Sequence, residues 1–156
     1  MPTIPAIRRA VASDLEAIIG LRLAFERITR DSGSLDEVSR RAELASLLGA
    51  DMAEGSLVCW LAEDGGRAVA QAALRVRRRA GAVAGGLGEL LNVYTDPAYR
   101  GRGIGSALVA EALAAASAIG LGRVRLRPTE DSRGIYERAG FRAEGSDMVI
   151  DLGDGL

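Results

Sequence analysis

The sequence predicts one α/β domain, a mixed sheet with helices on both faces, in the element order β-αα-βββ-α-β-α-ββ. Three observations point there. Two long segments, Leu15 to about Arg30 and Ile104 to Ile119, repeat apolar residues at helical spacing. Between them, two apolar strand-like runs flank Glu63-Asp64-Gly65-Gly66-Arg67, which carries a hairpin signal. Beyond the second long helix, short strand-like and helical segments alternate.

Ile4 to Arg8 reads as a short edge strand. Ser13 stands three residues before Glu16, the spacing of a capping box, and opens a helix carrying Leu15, Ile18, Ile19, Leu23, Phe25 and Ile28. Asp31-Ser32-Gly33-Ser34 breaks it, a second helix covers Asp36 to Leu48, and Gly49 to Gly55 connects. Strands follow at Ser56 to Glu63, Ala68 to Arg78 and, after a Gly/Ala loop over 80–88, Glu89 to Thr95. The next helix presents Ile104, Leu108, Ala112, Ala115 and Ile119, and Gly120 and Gly122 end it. Arg123 to Arg127 is strand-like, Ser132 to Ala139 is a short helix stopped by Gly140, and Phe141 to Glu144 and Met148 to Leu152 are strands.

At 156 residues the chain is expected to form one domain with a core built around its sheet. A net charge of −1 gives no overall basic field, so nucleic acid is not the expected partner. No apolar run approaches the roughly 20 residues that span a bilayer. With no signal-peptide character in Met1-Pro2-Thr3-Ile4, the expectation is a cytoplasmic protein with no membrane association. Histidine is absent, which removes Ser-His-Asp and Cys-His catalysis and any His-ligated metal, so no metal is expected. Cys59 is the single cysteine and reads as a buried strand residue. Lysine is absent too, which excludes a Schiff base and a P-loop.

The most informative segment is Val93-Tyr94-Thr95-Asp96-Pro97-Ala98-Tyr99-Arg100-Gly101-Arg102-Gly103-Ile104-Gly105-Ser106. It reads as a strand, a Pro turn, a glycine elbow and the first turn of a helix. Unpaired N–H groups at a helix start, stripped of side chains by glycine, suit a diphosphate. The dinucleotide fingerprint fails on its third glycine spacing and its late position in the chain. Glycines that merely allow close strand–helix packing are the alternative.

Arg100-x-x-Gly103-x-Gly105 resembles the acyl-CoA-binding motif of the GCN5-related N-acetyltransferase (GNAT) superfamily, Gln/Arg-x-x-Gly-x-Gly/Ala. A second segment, Thr129 to Phe141 with Tyr136 and Gly140-Phe141, is similar to that family's late helix, and the element order looks like the acyl-CoA N-acyltransferase fold. The resemblance implies acetyl-CoA as co-substrate, its diphosphate on the backbone of Gly101, Arg102, Gly103, Ile104, Gly105 and Ser106, with Arg100 and Arg102 adding charge. Its pantetheine arm would pair with Val93, Tyr94 and Thr95 as an extra strand. Tyr136 matches the tyrosine that protonates or stabilises the leaving thiolate, and Glu89, eleven residues before Arg100, matches a strand glutamate that acts as base. Thr129 stands where the family often has asparagine against the pantetheine arm. The expected reaction is direct acetyl transfer to a primary amine of a small molecule, with a non-catalytic acyl-CoA sensor or a peptide acetyltransferase as alternatives. Acceptor residues would come from the first two helices and the loop near residues 80–88, where Glu26, Arg30 and Glu43 are too generic to name a substrate, and a homodimer fits relatives.

Arginines alternate in two strands, Arg75, Arg77 and Arg79, then Arg123, Arg125 and Arg127, so each set shares a strand face. They read as a solvated face or as a groove for an anion. Asp147 heads the last strand and reads as a solvated charge or as a neighbour of the acceptor groove.

Overall fold

The computed structural model describes residues 5–29, 36–78 and 85–153. Seven strands form one sheet in the order β1-β2-β3-β4-β5-β7-β6: β1 (Ala6–Arg9), β2 (Leu57–Asp64), β3 (Arg67–Arg77), β4 (Leu87–Thr95), β5 (Arg123–Leu126), β6 (Arg142–Glu144) and β7 (Asp147–Asp151). Every neighbouring pair is antiparallel except β4 and β5. The helices are α1 (Leu15–Thr29), α2 (Glu37–Glu54), α3 (Ile104–Ala118) and α4 (Arg133–Ala139).

Two cores result, one on each sheet face. Helices α1 and α2 bury Ile18, Ile19, Leu23, Leu44 and Leu48 against Leu57, Cys59, Leu61 and Ala73. Helices α3 and α4 bury Ile104, Leu108, Val109, Ala112 and Tyr136 against Trp60, Leu74, Leu90, Val124, Leu126 and Met148. Strand residues divide between the faces because the side-chain period is two. The mixed sheet with helices on both faces follows the predicted order.

Several boundaries differ from the expectation. Helix α2 does not stop at Leu48 but runs on to Glu54, and ends where Gly55 takes a left-handed conformation (φ 85°). Gly49 costs helix stability of about 1 kcal/mol. It survives because a Cβ there would lie 3.3 Å from Leu15 Cδ2, so glycine lets the two helices approach. The start of α1 is set by Asp14 rather than by Ser13 and Glu16: Asp14 Oδ2 accepts from the Val11 N–H at 2.7 Å, within a 3-10 turn at Ala12–Asp14. Arg8 clamps the same carboxylate at 2.8 Å and holds its pKa down to about 2.

The stripe of α3 extends onto Val109 and Ala116, Ala115 packs at its margin, and Ile119 is exposed as the residue after the helix. Strand β4 begins at Leu87, inside the predicted loop, and β1 spans Ala6–Arg9. Ile4, the Asp31–Ser34 break, Arg30, Arg79 and positions 80–84 lie outside the described residues. The hairpin turn is as predicted: Gly65 and Gly66 both have positive φ (58° and 81°), as a two-residue turn matched to strand twist requires.

Candidate active site

Strand β4 keeps β3 along its whole length but loses its other neighbour, β5, midway, and this makes the site. Residues Leu87 to Glu89 pair with Arg123 to Arg125 of β5, and the ladder ends there. On the other side, the register with β3 moves from Ala73↔Leu91 to Gln71↔Tyr94, two residues against three. One extra residue therefore bulges from β4, and Asn92 carries it at φ 55°, alone among described non-glycine residues in having a positive φ. Past Glu89 the two parallel strands part, and a cleft of about 600 Å³ opens between them. Its walls are Leu90 to Thr95 of β4, Leu126 at the end of β5 and Thr129 after it, Arg22, Phe25 and Glu26 of α1, Ile135 and Tyr136 of α4, and the glycine elbow.

The elbow is built by a short cap. Asp96 Oδ1 accepts from the Ala98 N–H at 2.9 Å, and Pro97–Tyr99 form a 3-10 turn. Gly101 (φ 78°) and Gly103 (φ 81°) then turn the chain into α3. A Cβ added to either would meet nothing within 4 Å. Their glycines therefore serve no strand–helix packing; they supply the left-handed turn and leave the space over the helix start open. Gly105, already helical, would place a Cβ at an ordinary 3.4 Å from Ile135 Cδ1. The first-turn N–H groups of α3 lack intrahelical acceptors and carry the positive end of its dipole.

Arg100 folds back on the strand. Its Nε donates to the Thr95 carbonyl at 3.0 Å, and its guanidinium lies over the Tyr94 ring, 5.6 Å from the centroid. Arg102 goes elsewhere: it donates to the Ala98 carbonyl at 3.3 Å and stacks over Tyr99, 4.9 Å from its centroid. Its side chain is not among the cleft-lining residues, although its backbone belongs to the elbow.

Tyr136 is buried in the cleft wall, edge-on to Phe141 with centroids 5.8 Å apart. Burial pushes its phenol up to about 12, against a smaller opposing effect of the Ser132 hydroxyl. It is therefore a neutral hydrogen-bond donor at any physiological pH. Thr129 lines the cleft beside it, its hydroxyl and N–H both directed at Ser132 Oγ (2.8 and 3.0 Å).

Glu89 lies on the last rung before the split, opposite Arg75 on one side and Arg125 on the other. Its carboxylate pairs with Arg77 at 2.8 Å, and it is not a cleft-lining residue. The elbow, Val93 to Thr95, Thr129 and Tyr136 are thus brought together, and Glu89 and the Arg102 side chain stand apart. Of the arginine rows, Arg75 and Arg125 flank Glu89 on one rung, Arg127 lies just past the end of β5, and acids answer several of them: Arg75 meets Asp51 (3.4 Å), Arg123 meets Asp151 (2.7 Å) and Arg127 meets Asp147 (3.3 Å). Cys59 is buried on the α1/α2 side, its thiol pushed up to about 12 by desolvation. It lines a separate cavity of about 530 Å³ between β1 and the end of α2.

Sequence reasoning passed over Arg22, Phe25 and Asn92. The i,i+4 spacing of Arg22 and Glu26 was a signal for the first, and an asparagine interrupting Leu90-Leu91-Asn92-Val93 for the third. Among the described residues no helix is long and apolar enough to cross a membrane, and no three His, Cys, Asp or Glu residues gather as a metal site.

Comparison with known proteins follows the same lines. Residues 22–141 match the Acetyltransferase (GNAT) family. A glucosamine 6-phosphate N-acetyltransferase of Trypanosoma brucei brucei is 34% identical over 87 residues, 56% of this chain and 59% of that protein. The chain thus aligns with little more than half the length of this curated relative. The crystal structure of a GCN5-related N-acetyltransferase from Ralstonia eutropha JMP134 superposes with a TM-score of 0.77 at 28% identity, covering 90% of this chain and 94% of that one. A predicted acetyltransferase from Clostridium acetobutylicum, solved with acetyl-CoA, shares the fold with a TM-score of 0.77 at 24% identity, covering 90% and 91%. With the split sheet and glycine elbow on one side and a match spanning most of its length on the other, the chain belongs to the GNAT family of acetyltransferases.

Proposed function

We propose that this chain transfers the acetyl group of acetyl-CoA directly to a primary amine of a small molecule. The observation that carries the proposal is the meeting, in one cleft, of an open glycine elbow at a helix start, an unpaired stretch of β4 and a buried, neutral tyrosine. The elbow from Gly101 to Ser106 would hold the diphosphate, with Arg100 adjacent. The free edge of Val93, Tyr94 and Thr95 would pair with the pantetheine arm, and Thr129 would face it from across the split.

Tyr136 is proposed as the donor to the departing thiolate. Complete proton transfer from a phenol near 12 to a thiolate near 8.5 is uphill by about 4 to 5 kcal/mol, so the hydrogen bond itself is the stabilising element. The amine must first lose a proton, since a group of pKa near 10.4 is almost wholly charged at neutral pH. Glu89 is proposed to receive that proton through water, because its carboxylate lies outside the cleft wall and shares Arg77. Direct transfer is favoured over a covalent enzyme intermediate: Cys59 is buried, protonated and on another cavity.

The test is thiol release from acetyl-CoA over a panel of small amines and peptides, with Tyr136→Phe and Glu89→Gln alongside. Turnover of small amines, slowed about 100-fold by Tyr136→Phe, supports the proposal. Tight acetyl-CoA binding with no turnover on any amine would make this a sensor, and turnover on peptides alone a protein-modifying enzyme.

A further inference from the structure

Arg22 and Glu26 stand one turn apart on the α1 wall of the cleft, and Arg40 of α2 reaches Glu26 from behind. Glu26 is 8% exposed. Its Oε2 accepts from Arg40 Nε at 3.1 Å, and its Oε1 accepts from Arg40 Nη2 and from Arg22 Nε at 3.1 Å. Arg40 is fully engaged, since its Nη1 also meets Glu43 at 2.9 Å on the solvent side.

Arg22 differs from Arg40. It spends only Nε on Glu26, and among the described residues its Nη1 and Nη2 have no partner, although the side chain is only 24% exposed. A half-buried guanidinium with unused terminal donors is costly unless something else meets them. Glu43 answers Arg40 on the solvent side, so what Arg22 offers the cleft is the pair of unused donors at the end of its guanidinium. Pinning Nε fixes the plane of the fork, which is the arrangement that grips two oxygens of one anionic group.

We infer that the acceptor amine carries an anionic group, a carboxylate or a phosphate ester, which docks on the terminal nitrogens of Arg22, with Glu26 and Arg40 as the residues that position it. This rests on the acetyltransferase reading and deepens it. The competing arrangement, in which Glu26 takes the acceptor's ammonium, would give the opposite preference for charge.

Matched acceptors test this: α-amino acids against their carboxamides, and glucosamine 6-phosphate against glucosamine, by thiol release from acetyl-CoA. The anionic member of at least one pair should lead in kcat/KM by about tenfold or more. The pair that shows the lead identifies carboxylate or phosphate as the group. In Arg22→Gln the lead should collapse through KM, and Arg22→Lys, which keeps the charge and loses the fork, should fall between. Acetyl-CoA affinity and melting temperature, measured on each variant, should stay near wild type.

Equal rates within both pairs, a lead for the uncharged members, or an unchanged lead in Arg22→Gln would overturn the inference. So would a loss of acetyl-CoA affinity in Arg22→Gln, which would assign Arg22 to the cofactor. If acetyl-CoA binds but no acceptor turns over, the acetyltransferase reading fails and a melting-temperature assay decides the inference separately. There, the anionic acceptors should stabilise wild type and leave Arg22→Gln unmoved; no shift in wild type overturns it.

Discussion

Phe25 of α1 and Tyr94 of β4 stack with ring centroids 5.8 Å apart and planes 21° from parallel. Arg100 lies over that same tyrosine, so one ring ties the first helix to the elbow across the cleft. Phe25→Leu keeps apolar bulk and removes the stack, worth about 1 kcal/mol beyond area. A melting temperature lower by about 2 to 4 °C is expected. Because α1 carries one wall of the cleft, KM for the acceptor should rise more than kcat falls.

The elbow glycines should separate by position. Gly103→Ala forces a Cβ into a left-handed conformation at about 1 kcal/mol and places a methyl in the open space over the helix start. Acetyl-CoA affinity, read by calorimetry, should drop at least about tenfold. Gly105→Ala gains helix propensity and meets Ile135 at an ordinary distance, so it should leave affinity intact and raise the melting temperature slightly.

Alkaline pH should destabilise the protein in two steps. Burial holds Cys59, ordinarily at 9.0, and Tyr136, ordinarily at 10.0, each up to about 12. Folded values above unfolded ones mean that the unfolded chain loses these protons first as pH rises. Stability from both groups is complete below pH 9 and declines between 9 and 12, by about 1.4 kcal/mol per pH unit for each titrating group. Denaturant midpoints across that range should show Cys59→Ala moving the onset from about 9 to about 10. An onset that stays at 9 would place the loss elsewhere.

Gln71 is 1% exposed on β3, and among the described residues its amide Nε2 has no hydrogen-bond partner. Gln71→Met keeps volume and removes the unmet donor. A gain of about 1 kcal/mol is expected by chemical denaturation.

The parts of the fold that were legible in the sequence are those written in local chemistry. The Gly65-Gly66 hairpin, the helix opened at Gly103 and the stop at Gly140 each need a backbone conformation that glycine marks. The errors have tertiary causes. Gly49 reads as a breaker until Leu15 is seen packed upon it, and Asp14 outranks Ser13 only because Arg8, from a neighbouring strand, fixes its carboxylate. Within the site, the elbow and Tyr136 stood out as motifs. The Arg22–Glu26–Arg40 array joins two helices, and its members 14 positions apart carry no local signature. The bulge at Asn92 is set by a register between strands, of which the sequence shows only an asparagine interrupting an apolar run.

The parting of β4 from β5 after Glu89 has a thermodynamic consequence. A seam of main-chain donors and acceptors is left without its ladder in the middle of the sheet, where neighbouring strands elsewhere are zipped. Whatever occupies that seam supplies the absent rungs, so occupancy and rigidity of the two halves are one equilibrium. Amide exchange along Leu90 to Thr95 should slow when the seam is filled, and the melting point should climb with the logarithm of ligand concentration.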